Sequence, residues 1–265
     1  MAHNKHDKSR PFGQIRPIKV SYNSFGYAPG KVLFELGNTK VLCCVTMQNG
    51  VPHFLKGTKT GWLTAEYSLL PTSTYYRASR EISSGKRNSR AVEISRLIGR
   101  SFRSIVNTQK IGERTITIDC DVLQADGGTR TACITGAYLA LKQAESKWLA
   151  CQKIEEPFIK EAIAAISVGV VDGIVCCDLD YAQDSKAQAD FNFVLTEQGN
   201  IVEIQGCSEQ APISHVQFAE IQKIAVQGIK DVFLSCKKSS FQKGKQVERQ
   251  PAFFSLARRN ISVSE

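Results

Sequence analysis

The sequence predicts an α+β fold in which hairpins and helices occur twice in the same order. Near the N-terminus, GKVLFEL and KVLCCVTM flank the turn signal Gly37-Asn38, which is typical of a β-hairpin. In the second half, strands predicted at 164–171 and 174–181 flank Asp172-Gly173. Helices are predicted after the hairpins in both halves, so we expect an internal duplication within one domain.

The first half is predicted to begin with strands and to end with helices. We expect strands at 14–21 and 62–70, separated by the hairpin at 30–47 and by a loop at 50–60 that contains proline and glycine. Segment 76–88 is polar and rich in arginine, which predicts a loop. A helix begins at Ser89, with an apolar face that leaves three arginines near one another on the opposite side: Arg96, Arg100 and Arg103.

The second half adds another hairpin, at 191–196 and 200–205, and an amphipathic helix at 214–234. His215 lies at the start of that helix, where we interpret it as structural. The domain organisation predicted from these elements is an N-terminal arm at 1–13, one domain at 14–236 and a basic extension at 237–265. The extension is either disordered or binds RNA, since it is rich in Lys, Ser, Gln and Arg.

The segment around Gly127-Gly128 is the most informative local pattern. The β-branched run Thr115 to Ile118 predicts a strand, the two glycines predict a turn, and Thr129 is a candidate helix cap. A buried helix face follows at three- and four-residue spacing: Ile134, Ala137, Tyr138 and Leu141. Arg130 adds a planar cation to the positive end of this helix, which suits phosphate, although such a turn is equally consistent with a tight connection.

Positive charge is concentrated in three segments of the 265-residue chain. Segment 77–114 carries ten Lys or Arg residues against three Glu residues, and 1–19 and 237–265 are also basic. These three segments together carry a larger positive charge than the formal net charge of +9, so the rest of the chain is acidic. This distribution favours a surface that binds a polyanion, with a solvated helix face as the alternative.

The nine cysteines predict reduced thiols in a protein of the cytoplasm. Most lie in apolar strands, their number is odd, and CxxC spacing typical of metal sites is absent. The N-terminus MAHNKHDKSR lacks the apolar core of a signal peptide, and no apolar run reaches membrane-spanning length. We therefore expect no membrane association.

Three motifs resemble ribonuclease PH, a family of phosphate-dependent 3′ exoribonucleases. They are GWLTAEYSLLP at 61–71, EISRLIGR at 93–100 and CDVLQADGGTRTACITGA at 120–137. The likeness extends from about residue 15 to about residue 234. It implies an α+β domain with the topology of ribosomal protein S5 domain 2, and a reaction in which inorganic phosphate shortens RNA and releases nucleoside diphosphates.

The resemblance also implies the site residues. The attacking phosphate is expected at Arg90, Gly128, Thr129 and Arg130, and RNA at Arg77 and Arg80. Asp184 and Asp190, in DSKAQAD, are expected to hold Mg²⁺, whose preferred ligands are oxygens. The residues alone favour a structural interpretation, in which Asp184 caps a turn and Asp190 begins a strand. Asp178 and Asp180 would share one strand face.

The expected partners are tRNA precursors and other RNA 3′ ends, and the expected assembly is a homohexameric ring built as a trimer of dimers. The alternative is a non-catalytic RNA-binding subunit of an exosome-like ring. A kinase of related topology is disfavoured because the chain lacks a G-x-x-x-S-S loop. Thr72 replaces the family's usual arginine, and Ser89 and Ala91 flank Arg90 in place of the usual glycine and threonine.

Overall fold

A computed structural model describes residues 10–22, 26–80, 85 and 88–244. Its first half forms a five-stranded sheet in the order β1-β2-β3-β5-β4, in which β4 runs parallel to β5 and the other pairs are antiparallel. The strands are β1 (Ile18–Tyr22), β2 (Gly30–Leu36), β3 (Thr39–Asn49), β4 (Trp62–Leu69) and β5 (Arg114–Gln124). The helices are α1 (Ser89–Ile105), α2 (Thr108–Ile111) and α3 (Thr129–Ala150), with a short 3-10 turn at His53–Leu55.

The second half forms an antiparallel sheet of four strands in the order β7-β6-β8-β9. Its strands are β6 (Ile163–Val171), β7 (Ile174–Cys177), β8 (Ala189–Thr196) and β9 (Ile201–Ser208). A short helix, α4 (Tyr181–Asp184), lies between β7 and β8, and the long helix α5 (His215–Gly244) follows β9. The predicted α+β class and the repeated order of hairpins and helices are confirmed.

Helix α3 joins the two halves because it packs against β2 and β3 on one side and against β6 on the other. Ile134, Ala137 and Leu141 are buried as predicted, whereas Tyr138 is half-buried at the edge of the core. Helix α1 covers β4, and α5 covers β6 and β1. The two sheets therefore share one apolar core, with the start of α3 at the place where both halves meet.

The predicted strand at 174–181 is wrong beyond Cys177. Asp178 has a left-handed backbone, with φ of 56°, and this ends the strand. Asp180 then caps α4 by accepting a hydrogen bond from the backbone N–H of Gln183 at 2.9 Å. Asp178 and Asp180 consequently do not share a strand face. Helix α5 also extends past residue 236 as far as Gly244.

All nine cysteines lie within the described residues and are free thiols, and six of them are buried. The prediction of core cysteines is confirmed for these six, whereas Cys44 is half-buried and Cys151 and Cys207 are exposed. Within the described ranges, no helix combines the length and the apolar character needed to cross a membrane.

Candidate anion and carboxylate site

The Gly127-Gly128 turn sits between β5 and α3 and is left-handed at both residues, with φ of 73° and 64°. A Cβ on Gly127 would lie 2.5 Å from the carbonyl oxygen of Leu179, so the turn packs directly on the segment that leads into α4. Gly128 is the N-cap of α3, and no side chain caps this helix. The first N–H groups of a helix have no partner within the helix, which makes this end suited to an anion.

Thr129 does not cap α3, contrary to the sequence prediction, because it is already the first residue of the helix. Its hydroxyl instead accepts a hydrogen bond from the hydroxyl of Tyr67, at 3.0 Å. Tyr67 is buried in β4, and burial raises the pKa of its phenol well above the usual value, while the charges of Arg90 and Arg130 lower it in part. Tyr67 therefore keeps its proton and remains a hydrogen-bond donor at neutral pH.

Arg130 lies in the first turn of α3 and is held by two other elements. Its Nη1 donates to Oε1 of Glu93 in α1 at 2.8 Å and to Oε1 of Gln205 in β9 at 2.9 Å. Gln205 Nε2 also donates to Oε1 of Glu93 at 2.8 Å. These three side chains form a closed network, the Glu93-Arg130-Gln205 triad, in which the guanidinium remains partly accessible to solvent.

Asp184 and Asp190 lie at the end of α4 and near the start of β8. Partial removal from water raises the pKa of both carboxyls. The charge of Asp190 raises the pKa of Asp184 further, and Glu209 raises the pKa of both. The described residues contain no group of three or more His, Cys, Asp or Glu side chains arranged for a metal. Any ion here would therefore keep water ligands, as Mg²⁺ commonly does.

Arg90 is the second residue of α1 and is exposed. Asn88 caps this helix, because its side chain accepts a hydrogen bond from the backbone N–H of Arg90 at 3.0 Å. The charges of Arg90 and Arg130 both lower the pKa of Asp184 and of Asp190. Two cations and two carboxylates from four separate segments of the chain thus lie within electrostatic range of one another, beside the glycine turn.

Arg77 and Arg80 follow β4 and are exposed, as is Thr72. Neither arginine forms a hydrogen bond or an ion pair with any other residue that the structure describes, and part of their loop, 81–84 and 86–87, lies outside the described ranges. Tyr75 and Tyr76 form an edge-to-face pair with centroids 5.1 Å apart, yet both rings are largely exposed. The two rings therefore contact each other more than they contact the core.

The three arginines predicted to lie together on α1, which are Arg96, Arg100 and Arg103, do not form one basic surface. Arg100 Nη2 pairs with Glu203 Oε1 of β9 at 2.6 Å, and Arg103 lies over the Trp62 ring, 4.8 Å from its centroid. Arg103 Nη1 also donates to the carbonyl oxygen of Leu63 at 3.0 Å. Arg96 and Arg100 are exposed on the helix surface, whereas Arg103 is half-buried. Two of the arginines therefore attach α1 to its neighbours.

Sequence reasoning missed the residues that support the site. Tyr67 and Glu93 lie inside two of the informative motifs, but nothing local to either motif indicates that they contact Thr129 and Arg130. Gln205 comes from a strand on the other sheet. A further pair, Arg16 and Asp178, is buried behind the turn, with Nη2 and Oδ1 2.7 Å apart.

Fold and site together define an α+β protein in which an arginine at the start of a helix without a side-chain cap lies within electrostatic range of a pair of carboxylates. The chain belongs to the 3′ exoribonuclease family: domain 1 of the family matches residues 14–147 and domain 2 matches residues 161–228. The resemblance to ribonuclease PH is thereby confirmed at the level of the family.

Solved structures of similar fold include rice Rrp46 and chains of two exosome structures. The chain resembles rice (Oryza sativa) Rrp46, with a TM-score of 0.68 and 18% identity over 86% of this chain and 96% of that chain. It also resembles a chain of the Archaeoglobus fulgidus exosome with RNA bound to the active site, with a TM-score of 0.72 and 18% identity over 86% and 91%. A chain of an archaeal exosome core matches with a TM-score of 0.67 and 17% identity over 84% and 87%. At this identity the likeness establishes the shared fold.

Proposed function

We propose that this protein is a phosphate-dependent 3′ to 5′ exoribonuclease that trims the 3′ ends of tRNA precursors and releases nucleoside diphosphates. The observation that carries the proposal is the convergence of Arg90 and Arg130 on Asp184 and Asp190 beside an uncapped helix start. Membership of the 3′ exoribonuclease family supports the reaction class.

In the proposed reaction, inorganic phosphate is the nucleophile. This phosphate is held by Arg90 and Arg130, by the N–H groups at the start of α3 near Gly128, and by the Thr129 hydroxyl. One of its oxygens attacks the last phosphodiester phosphorus, and the bond from that phosphorus to the preceding 3′ oxygen breaks. The leaving 3′ oxygen takes up the proton that the attacking hydrogen phosphate carried, so the products are a nucleoside 5′-diphosphate and an RNA one nucleotide shorter. Because two anions must approach each other, cations and fixed orientation supply most of the rate enhancement.

Asp184 and Asp190 would hold Mg²⁺. The donor set fits a hard divalent cation, since both side chains offer carboxylate oxygens and the charge of Asp190 raises the pKa of Asp184. When bound, the ion would neutralise developing negative charge at the reacting phosphates. The charges of Arg90 and Arg130 lower the pKa of both carboxyls and so favour the ionised form that binds a cation.

RNA would approach along the exposed loop that carries Arg77 and Arg80. Contacts from arginine to phosphate position a strand without reading its bases, which suits an enzyme that trims many sequences. Because Thr72 stands where the family usually has arginine, this loop carries one cation fewer than is usual in the family. We also propose that six subunits assemble as a trimer of dimers, and native mass spectrometry of the full chain would test that stoichiometry directly.

The alternative function is a non-catalytic RNA-binding subunit of a ring. The observation that favours it is the similarity in fold to exosome chains, at 17% to 18% identity. Both alternatives predict RNA binding, but only the enzyme requires inorganic phosphate.

The test is an RNA with an extended 3′ end, incubated with the protein and Mg²⁺ in the presence or absence of inorganic phosphate. Nucleoside diphosphates that form only with phosphate support the proposal. Monophosphates, or an absence of product, reject it. The Arg130→Ala variant is expected to abolish turnover and to retain most of the RNA affinity, whereas a loss of RNA binding alone would show that the role of Arg130 is misassigned.

A further inference from the structure

The Glu93-Arg130-Gln205 triad presents a specific edge of the Arg130 guanidinium to the site. Both hydrogen bonds that Arg130 donates come from Nη1, to Glu93 Oε1 at 2.8 Å and to Gln205 Oε1 at 2.9 Å. Within the described part of the chain, Nε and Nη2 have no hydrogen-bond partner. These two nitrogens form the side edge of the guanidinium, which matches two oxygens of one phosphate.

We propose that Glu93 is a positioning residue, held in turn by Gln205, which fixes Nη1 of Arg130 and so aims the Nε–Nη2 edge at inorganic phosphate. This inference rests on the proposed function and deepens it. Glu93 is well suited to the role because its Oε1 accepts from both Arg130 and Gln205, so the three side chains restrain one another. A long arginine side chain loses less conformational freedom on binding when it is already held.

Removal of Glu93 should change phosphate binding in one direction if Glu93 acts through its charge and in the opposite direction if Glu93 holds Arg130 in place. If Glu93 acted only through its negative charge, its removal would strengthen anion binding, because Arg130 would lose a competing carboxylate. If Glu93 acts as a tether, its truncation would weaken phosphate binding, because Arg130 would turn away from the productive geometry. The direction of the change in the phosphate KM therefore separates the two roles.

Two substitutions at Glu93 separate charge from geometry. Glu93→Gln keeps an oxygen that can accept from Arg130 and Gln205 but removes the charge. Glu93→Ala removes both. We expect Glu93→Ala to raise the phosphate KM by about tenfold, the effect of losing a charge-assisted hydrogen bond. Glu93→Gln should stay within about twofold of the unsubstituted protein, and RNA affinity in the absence of phosphate should be unchanged in both.

Glu203→Ala is the matched structural control. Glu203 lies in β9, as Gln205 does, and like Glu93 it pairs with an arginine of another element, since Arg100 Nη2 of α1 is 2.6 Å from its Oε1. This pair docks α1 on β9 without touching Arg130. If Glu93 contributed only to that docking, Glu203→Ala would raise the phosphate KM as Glu93→Ala does. We expect the KM of Glu203→Ala to be unchanged.

The full chain should be assayed for phosphate KM and kcat, and its affinity for inorganic phosphate measured separately by titration calorimetry. A phosphate KM that is unchanged or lower in Glu93→Ala, an impaired Glu93→Gln, or an equal effect in Glu203→Ala would each overturn the proposal. If the unsubstituted protein releases no nucleoside diphosphate, the proposed function fails, while the phosphate Kd of Glu93→Ala still decides whether Glu93 aims Arg130. Absence of any phosphate binding would reject both.

Discussion

The Arg16 guanidinium and the Asp178 carboxylate form a buried ion pair between residues 162 positions apart in the chain. Nη2 and Oδ1 are 2.7 Å apart, Nε and Oδ2 are 3.0 Å apart, and the backbone N–H of Arg16 donates to Oδ2 at 2.7 Å. Burial alone would lower the pKa of Arg16, but the charge and hydrogen bonds of Asp178 outweigh it and raise the pKa. The Arg16 guanidinium therefore keeps its charge at neutral pH.

This pair links the Gly127-Gly128 turn to the segment that leads to Asp184. The Arg16 guanidinium also donates to the carbonyl oxygens of Asp126 and Gly127, on the turn itself. Asp178 begins the segment that leads through Asp180 into α4, which ends at Asp184. One ion pair thus holds together the two parts of the site that would bind phosphate and Mg²⁺.

Arg16→Ala should lower the free energy of unfolding by about 3–5 kcal/mol, because it leaves the Asp178 carboxylate buried without its main partner. Urea denaturation at neutral pH measures the loss. Lys19→Ala is the control, since Lys19 pairs with Glu35 at 3.1 Å but its side chain is 71% exposed. That variant should lose less than about 1 kcal/mol. Equal losses in the two variants would contradict the structural importance of the buried pair.

Gly127→Ala should impair both stability and activity. At φ of 73° an alanine is strained, and its Cβ would lie 2.5 Å from the carbonyl oxygen of Leu179 and 2.6 Å from the carbonyl carbon of Asp180. Gly173→Ala measures the cost of the strained backbone alone, because Gly173 has φ of 77° and the added Cβ would meet open space. We expect Gly173→Ala to cost about 1–2 kcal/mol, and Gly127→Ala clearly more. Similar unfolding curves for both variants would show that the turn can move away from α4.

The parts of the fold that follow local rules were predictable from the sequence. The hairpin at Gly37-Asn38 and the helices that begin at Ser89 and Thr129 depend on turn residues and on the spacing of apolar side chains. The strand predicted at 174–181 failed because Asp178 leaves the strand to meet Arg16, a residue far away in the chain. A contact of that kind has no signature in a short window of sequence.

The same distinction applies to the site. The glycine turn and Arg130 are adjacent in sequence, so local reasoning was sufficient to suggest an anion site. Arg90, Asp184 and Asp190 could be selected only through the family resemblance, because each also has an ordinary structural interpretation. Glu93 and Gln205 approach Arg130 only after the two sheets pack on α3, and no pattern in either segment indicates that contact.

Tyr67→Phe should weaken phosphate binding with little loss of packing. The Tyr67 hydroxyl donates to Thr129 Oγ1 at 3.0 Å, and this leaves the Thr129 proton available for another acceptor, which we propose is phosphate. We expect the phosphate KM to rise by about 3- to 10-fold, with a stability loss of about 1 kcal/mol. Tyr75→Phe, on an exposed ring, should change neither quantity. An unchanged phosphate KM in Tyr67→Phe would mean that Thr129 does not contact the anion.

Asp190→Asn should stabilise the fold at neutral pH while reducing turnover by about a hundredfold or more. The pKa of Asp190 is raised, chiefly by removal from water and then by Glu209. A carboxyl with a raised pKa favours folding when protonated, and this contribution is lost as the pH rises through the raised pKa. The Tm of Asp190→Asn should therefore exceed that of the unsubstituted protein at neutral pH, and the two should converge below about pH 4.

Added Mg²⁺ provides the second readout for Asp190. It should raise the Tm of the unsubstituted protein, because binding to the folded state stabilises it, and should raise that of Asp190→Asn less. Glu220→Gln removes an exposed charge from α5 and should respond to Mg²⁺ as the unsubstituted protein does. The assignment of Asp190 as a metal ligand would be untenable if Mg²⁺ stabilised all three proteins equally.

Arg77→Ala and Arg80→Ala should weaken RNA binding in a way that depends on salt. Each exposed arginine that contacts a phosphate of single-stranded RNA contributes about 0.7 to the slope of log K against log salt, because binding releases a counterion. The double variant should therefore lose about 1.4 from that slope, measured by fluorescence anisotropy between about 50 and 200 mM salt. Lys19→Ala removes an exposed charge from β1, away from this loop, and should leave the slope unchanged. Equal slopes for the double variant and the unsubstituted protein would place the RNA path elsewhere on the surface, since neither arginine has another described partner that would account for its position.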